Sequence, residues 1–170
     1  MNLKEKIRNI PDFPEPGIIF YDITTLIADG EAYHYMINEL VDVVKPYDVD
    51  AILVLDARGF LIGPPVAYKL KKGIVPIRKP HKLPAETYSI EYELEYGKGV
   101  LEMHKDALKP GMRVAILDDL LATGGTAAAA KKLAELAGAE VVFMGFMVEL
   151  KELGGREKIK GCPIYSVLEY

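Results

Sequence analysis

Apolar residues recur along this chain with two rhythms, and each predicts a different element. Between Ala32 and Val44 they fall at Tyr33, Met36, Ile37, Leu40, Val41 and Val44, the spacing of a helix with one buried face, and Pro46 closes it. Short continuous apolar runs at Ala51–Leu55, Gly73–Ile77, Val114–Leu117, Val141–Val148 and Ile164–Leu168 predict buried strands, the last at a sheet edge. Between them the pattern places a helix at Phe60–Leu70 and an alanine-rich helix from about Ala127 to Ala137, stopped by Gly138. Leu3, Ile7 and Ile10 suit a short amphipathic N-terminal helix ended by Pro11. Pro11, Pro14 and Pro16 make the following segment extended and stiff. Residues 81–104 are mostly polar, rich in Tyr and Glu, and have no evident place in a core. Strands alternating with helices predict a single α/β domain over residues 1–170 with a parallel sheet, whose ligands sit at the carboxyl ends of its strands.

Composition narrows the partners. With 170 residues, 50% hydrophobic and 27% charged, the chain can bury a substantial core. A net charge of −4 argues against broad electrostatic binding of nucleic acid. Cys162 is the only cysteine, so no internal disulfide forms, and it reads as an inert packing thiol. MNLKEKIRNI lacks the apolar core of a signal peptide, and no run approaches the ~20 residues of a membrane span. The expected address is the cytoplasm, with no membrane partner.

The chemistry concentrates at the predicted strand ends. Val114–Leu117 stops at two adjacent carboxylates, Asp118 and Asp119, and Ala122-Thr123-Gly124-Gly125-Thr126 then opens the alanine-rich helix. Gly/Thr loops at a helix N-terminus offer backbone N–H groups and a positive dipole end to an anion. Carboxylates instead accept hydrogen bonds from vicinal hydroxyls. Together they predict a seat for ribose 5-phosphate. Neither Walker-A spacing nor GxGxxG occurs, which excludes those two nucleotide loops. The loops after the two preceding strands bring Arg58, Arg78, Lys79 and Lys82 to the same rim. So many cations exceed what one monophosphate requires and point to a ribose that carries a pyrophosphate as well.

These motifs resemble the adenine phosphoribosyltransferase family over nearly the whole chain. The matching stretches are PDFPEPGIIFYDIT ending at Thr24, LDARGFLIGP at 55–64, IRKPHKLPAET at 77–87, YELEYGK at 92–98, LEMHKDAL at 101–108, VAILDDLLATGGTA at 114–127 and GREKI at 155–159. The acidic-pair loop marks phosphoribosyltransferases in general; the proline-rich segment and the LEYGK stretch point to adenine. The resemblance implies a type I phosphoribosyltransferase fold: a mostly parallel sheet flanked by helices, a base-binding hood at about 1–30 and a mobile catalytic loop at about 83–102. It also implies transfer of ribose 5-phosphate from phosphoribosyl pyrophosphate to adenine, giving AMP and pyrophosphate, with Mg²⁺ bound alongside the donor and no assigned protein ligand. A homodimer is implied as well.

On the same resemblance, Ala122, Thr123, Gly124, Gly125 and Thr126 would bind the 5-phosphate, and Asp118 and Asp119 the ribose hydroxyls. Arg58, Lys79, Lys82 and Lys98 would serve the pyrophosphate, with Arg78 reaching the neighbouring subunit's donor. Ile19 and Phe20 would line the base pocket, and the catalytic pair would be Glu95, facing the N7/N9 side of adenine, and Tyr96. Ala57, Tyr21 and His81 depart from the family pattern, at positions where serine, a basic residue and glycine are usual. His34 and His104 read as surface or packing residues. Two alternatives remain open at this level: a hypoxanthine or guanine acceptor, and a non-catalytic binder of the donor.

Overall fold

In the computed structural model, which describes residues 1–94 and 97–170, the apolar runs become the strands of one sheet. The elements in chain order are β1 (Arg8–Pro11), β2 (Ile19–Asp22), α1 (Thr24–Ala28), α2 (Gly30–Val44), β3 (Ala51–Leu55), α3 (Gly63–Leu70), β4 (Gly73–Ile77), β5 (Thr87–Leu94), β6 (Gly97–His104), β7 (Arg113–Leu121), α4 (Gly125–Leu136), β8 (Glu140–Glu149), α5 (Gly155–Lys158) and β9 (Ile164–Glu169). The principal sheet runs β4-β3-β7-β8-β9, every neighbouring pair parallel. Parallel strands joined by helical crossovers are buried on both faces, which is why β3 and most of β8 read as uninterrupted apolar runs rather than alternations. The register of β7 against β8 shifts between Val114 and Ala115.

The chain forms two compact units, Met1–Glu39 and Leu40–Tyr170. In the first, β1 and β2 pair antiparallel, and Asp22 is held by Arg8 Nη2 at 2.5 Å and by the Thr24 hydroxyl at 2.6 Å. These bonds, Thr24 foremost and Arg8 next, lower the Asp22 pKa to about 2. The second unit carries the principal sheet, and its core includes Leu53, Leu55, Ile77, Ile116, Leu133 and Phe146.

Several expectations are corrected. The N-terminus forms a short 3-10 turn at Leu3–Lys6 and then strand β1, so Ile7 and Ile10 do not share a helix face. Pairing with β2 outweighs the weak helical period of so short a segment. The predicted helix at Phe60–Leu70 is a 3-10 turn at Arg58–Leu61 followed by α3, and Thr24–Ala28 forms a helix that the proline-rich reading did not anticipate. The polar stretch 81–104 contains an antiparallel pair, β5 and β6, with Thr87 opposite His104 and Leu94 opposite Gly97. Strand β7 does not stop at the carboxylates but continues through both to Leu121, because β8 supplies ladder partners that far. Helix α4 begins at Gly125, two residues before the alanine run.

Candidate active site

The carboxyl ends of β3 and β7 meet at a cavity of about 380 Å³, lined by Asp56, Ala57, Arg58, Lys79, Tyr92, Leu101, and the run Asp118 to Ala127. Parallel neighbours make this convergence unavoidable, since all strands of the sheet point their carboxyl ends the same way. The loop after β3 can pack closely on β7 because Gly59 lacks a side chain: a Cβ there would lie 2.8 Å from Asp118 Oδ1. The peptide between Asp56 and Ala57 is cis.

The two carboxylates have different surroundings. Asp119 is buried and receives Arg58 Nε at 2.7 Å. Asp118 Oδ1 accepts the Asp119 backbone N–H at 2.9 Å. Loss of water around Asp118, followed by the negative charge of Asp119, raises the Asp118 carboxyl well above the ordinary range; Arg58 acts more weakly in the other direction. The two side chains therefore differ in partner: Asp119 is held by a guanidinium, whereas Asp118 is held by a backbone N–H.

Beyond the pair, the 122–126 turn delivers the chain into α4. Gly124 has φ of +85°, a left-handed conformation that side chains rarely adopt, and no side chain caps the helix. Ser or Asp in that place would satisfy the first N–H groups of α4; glycine leaves them for a bound anion. Hairpin β5–β6 reaches the turn from above: a Cβ on Gly125 would meet the Glu93 carbonyl oxygen at 3.3 Å.

Of the expected cations, Arg58 and Lys79 line the cavity, whereas Arg78, Lys82 and Lys98 do not. Arg78 Nε binds Asp56 Oδ2 at 3.0 Å with its guanidinium over the Phe60 ring, and Lys98 Nζ pairs with Glu91 at 2.7 Å across the hairpin. Ile19 and Phe20 belong to the Met1–Glu39 unit, where Ile19 is exposed and Phe20 packs edge-on against Phe13 with centroids 5.3 Å apart. Glu95 and Tyr96 lie outside the described residues. His81 adopts φ of +65°, the conformation that the glycine usual at that place reaches freely. Tyr92 and Asp56 were not assigned to the site from sequence. A signal for Tyr92 existed: Tyr88, Ile90 and Tyr92 alternate with Ser89, Glu91 and Glu93, the period of a strand with one covered face. For Asp56 there was none beyond its position at a strand end.

Adenine phosphoribosyltransferase of Clostridium perfringens is 56% identical over 170 residues, covering 100% of this chain and 99% of the relative. This chain belongs to the adenine phosphoribosyltransferase family. The solved family member from Thermoanaerobacter pseudethanolicus matches with a TM-score of 0.95 at 51% identity, covering 99% of this chain and 98% of the other. The adenine phosphoribosyltransferase of Saccharomyces cerevisiae, crystallised with an imino-altritol bisphosphate and adenine, matches with a TM-score of 0.91 at 37% identity, covering 97% and 96%. No family model matches the chain. The parallel sheet with its added hairpin is thus a type I phosphoribosyltransferase fold. No helix among the described residues is long and apolar enough to cross a membrane.

Proposed function

We propose that this protein transfers the 5-phosphoribosyl group from phosphoribosyl pyrophosphate to adenine, producing AMP and pyrophosphate in purine salvage. The observation that carries this reading is one cavity holding two adjacent carboxyls beside a helix N-terminus that no side chain caps. A sugar with vicinal hydroxyls and a 5-phosphate matches both halves at once. In the reaction the bond from C1 of the ribose to the pyrophosphate oxygen breaks, and N9 of adenine forms the new bond to C1. The proton on the purine nitrogen must leave, and the pyrophosphate carries away the bonding electrons.

On this reading the N–H groups of 122–126 hold the 5-phosphate and fix the ribose. Asp119 accepts from one ribose hydroxyl and Asp118 bonds the other. Arg58, now on Asp119, exchanges that partner for the pyrophosphate, with Lys79 beside it and Lys82, Lys98 and Arg78 contributing from further out. Ile19 and Phe20, in an N-terminal hood, engage the base through backbone and ring. Glu95 takes the purine proton with Tyr96 beside it, and the hairpin around residues 83–102 excludes water that would hydrolyse the donor. Mg²⁺ would come bound to the donor's own phosphate oxygens, and no protein ligand is assigned to it. When bound, such an ion neutralises charge developing on the pyrophosphate.

Exposed Leu61, Tyr68 and Ile74 around α3 support a homodimer, which light scattering would measure. A donor so highly charged does not cross a bilayer, which supports a cytoplasmic setting. The deciding experiment incubates the protein with donor, Mg²⁺ and adenine, hypoxanthine or guanine separately. Formation of AMP alone is expected. Conversion of only the 6-oxopurines would overturn the adenine assignment, and donor binding without any turnover would make the protein a regulator.

A further inference from the structure

We propose that Arg156 is a positioning residue for the phosphate-binding turn, acting through Gly155 without touching the ligand. The proposal rests on the reading above that residues 122–126 hold the 5-phosphate.

The turn is backed by another stretch of chain rather than by solvent. A Cβ added to Gly124 would fall 2.3 Å from the Gly155 carbonyl oxygen, and one added to Gly155 would fall 2.5 Å from the Ala122 carbonyl oxygen. Segments 122–124 and 154–155 therefore lie backbone against backbone, with the Leu121 side chain packed beside Gly155 as well.

Helix α5 cannot fix that spacing alone. It has four residues, of which only Gly155 is buried, and a single turn of helix is unstable without outside support. The support comes from Arg156. Its Nε and Nη2 reach the two carboxylate oxygens of Glu149 at 2.8 Å each, and Nη1 donates to the Ile164 carbonyl at 2.8 Å. Glu149 is only 3% exposed and also accepts from the Ser166 hydroxyl at 2.6 Å. Burial alone would raise the Glu149 carboxyl, but the bonds from Arg156 and Ser166 outweigh it and keep the group charged below the ordinary range.

Glu149 in turn is tied to the start of the turn. It ends β8 opposite Leu121, the residue before Ala122, and Leu150 N–H donates to the Leu121 carbonyl at 3.0 Å. Leu121, Glu149, Arg156, Gly155 and Ala122 thus close a ring around the base of the turn. A guanidinium fork on a carboxylate fixes orientation as well as distance, which an apolar contact in the same place would not. Backbone N–H groups bind phosphate well only when held within about 0.5 Å of their productive places. Arg156 does not line the cavity, so no direct bond to the donor explains an effect of its loss.

The test compares wild type, Arg156→Lys and Gly155→Ala in the full chain. Arg156→Lys keeps the charge and removes the fork; Gly155→Ala leaves the ion pair and forces the backbones apart. Both are expected to speed amide hydrogen exchange at Thr123–Thr126 in the ligand-free protein. Both should weaken phosphoribosyl pyrophosphate binding on the order of 10-fold, with the KM for adenine within about twofold. A folded Arg156→Lys with unchanged exchange in the turn and unchanged donor affinity would overturn the proposal. Equal weakening of both substrates would also overturn it, because a general loosening predicts that result. Should Arg156→Lys melt below the assay temperature, Gly155→Ala decides by the same readouts. Faster exchange in the turn with a wild type that binds no donor would refute the phosphate seat and leave the brace standing.

Discussion

Strand β7 and the β5–β6 hairpin both line the cavity, yet different forces hold them there. β7 is hydrogen-bonded on both sides, to β3 and β8, and Val114 to Leu117 are buried. The hairpin has its own ladder, a two-way backbone bridge between Arg78 and Glu102, and one face where Tyr88, Ile90 and Tyr92 pack on the core. Its other face, with Ser89, Glu91 and Glu93, meets water. The first arrangement suits a group that must hold a phosphate in one place; the second suits a cover over reacting atoms. Local opening costs least where buried apolar contacts are few.

The comparison can be broken at several points. The largest effect is expected at Glu95, proposed above to take the purine proton: Glu95→Gln should lower kcat by ~10²–10⁴-fold with little change in donor affinity. Stopped-flow turnover near wild type would remove Glu95 from proton transfer. On the β7 side, Asp118→Asn with Asp119→Asn should instead weaken donor binding by ~10–100-fold, the scale of losing charge-assisted hydrogen bonds. Calorimetry showing unchanged binding would return the acidic pair to a structural role.

Stability should divide the regions as well. A Cβ on Gly63 would sit 2.0 Å from Val54 Cγ1, so Gly63→Ala should cost about 1–3 kcal/mol by overpacking the sheet side of the site. Exposed Ser89→Ala on the hairpin should stay within about 0.5 kcal/mol. Urea unfolding reads both, and equal losses would contradict the division. The smallest effect is a slope. Asp118 has a raised carboxyl in the folded state, so between the ordinary carboxylate pKa and its raised value the folded chain binds more protons than the unfolded one. Stability contributed by Asp118 must then fall as pH rises through that window. Asp118→Asn should flatten the fall, and parallel pH profiles for the two proteins would reject the assignment.

The same contrast explains what could be read from the chain in advance. Ala51–Leu55 and Val141–Val148 were legible because burial on both faces leaves an unbroken apolar run, and the glycine turn was legible because its chemistry is contiguous. The hairpin was obscured by Glu91 and Glu93, whose polarity hides the alternation with Tyr88, Ile90 and Tyr92. Carboxylates inside β7 looked like a strand end because polar residues seldom lie within a buried ladder. Arg58 on Asp119 and Arg78 on Asp56 follow from folding distance, which no spacing in the chain encodes.

The strand order has a consequence for biosynthesis. β7 lies between β3, which is translated before it, and β8, which is translated after it. While residues 140–149 are still in the ribosome, the apolar flank of β7 has no partner on that side, and an open flank of this kind pairs readily with other chains. Newly made protein thus carries an open β7 flank until β8 emerges, and slower translation over residues 137–149 should lower the soluble yield.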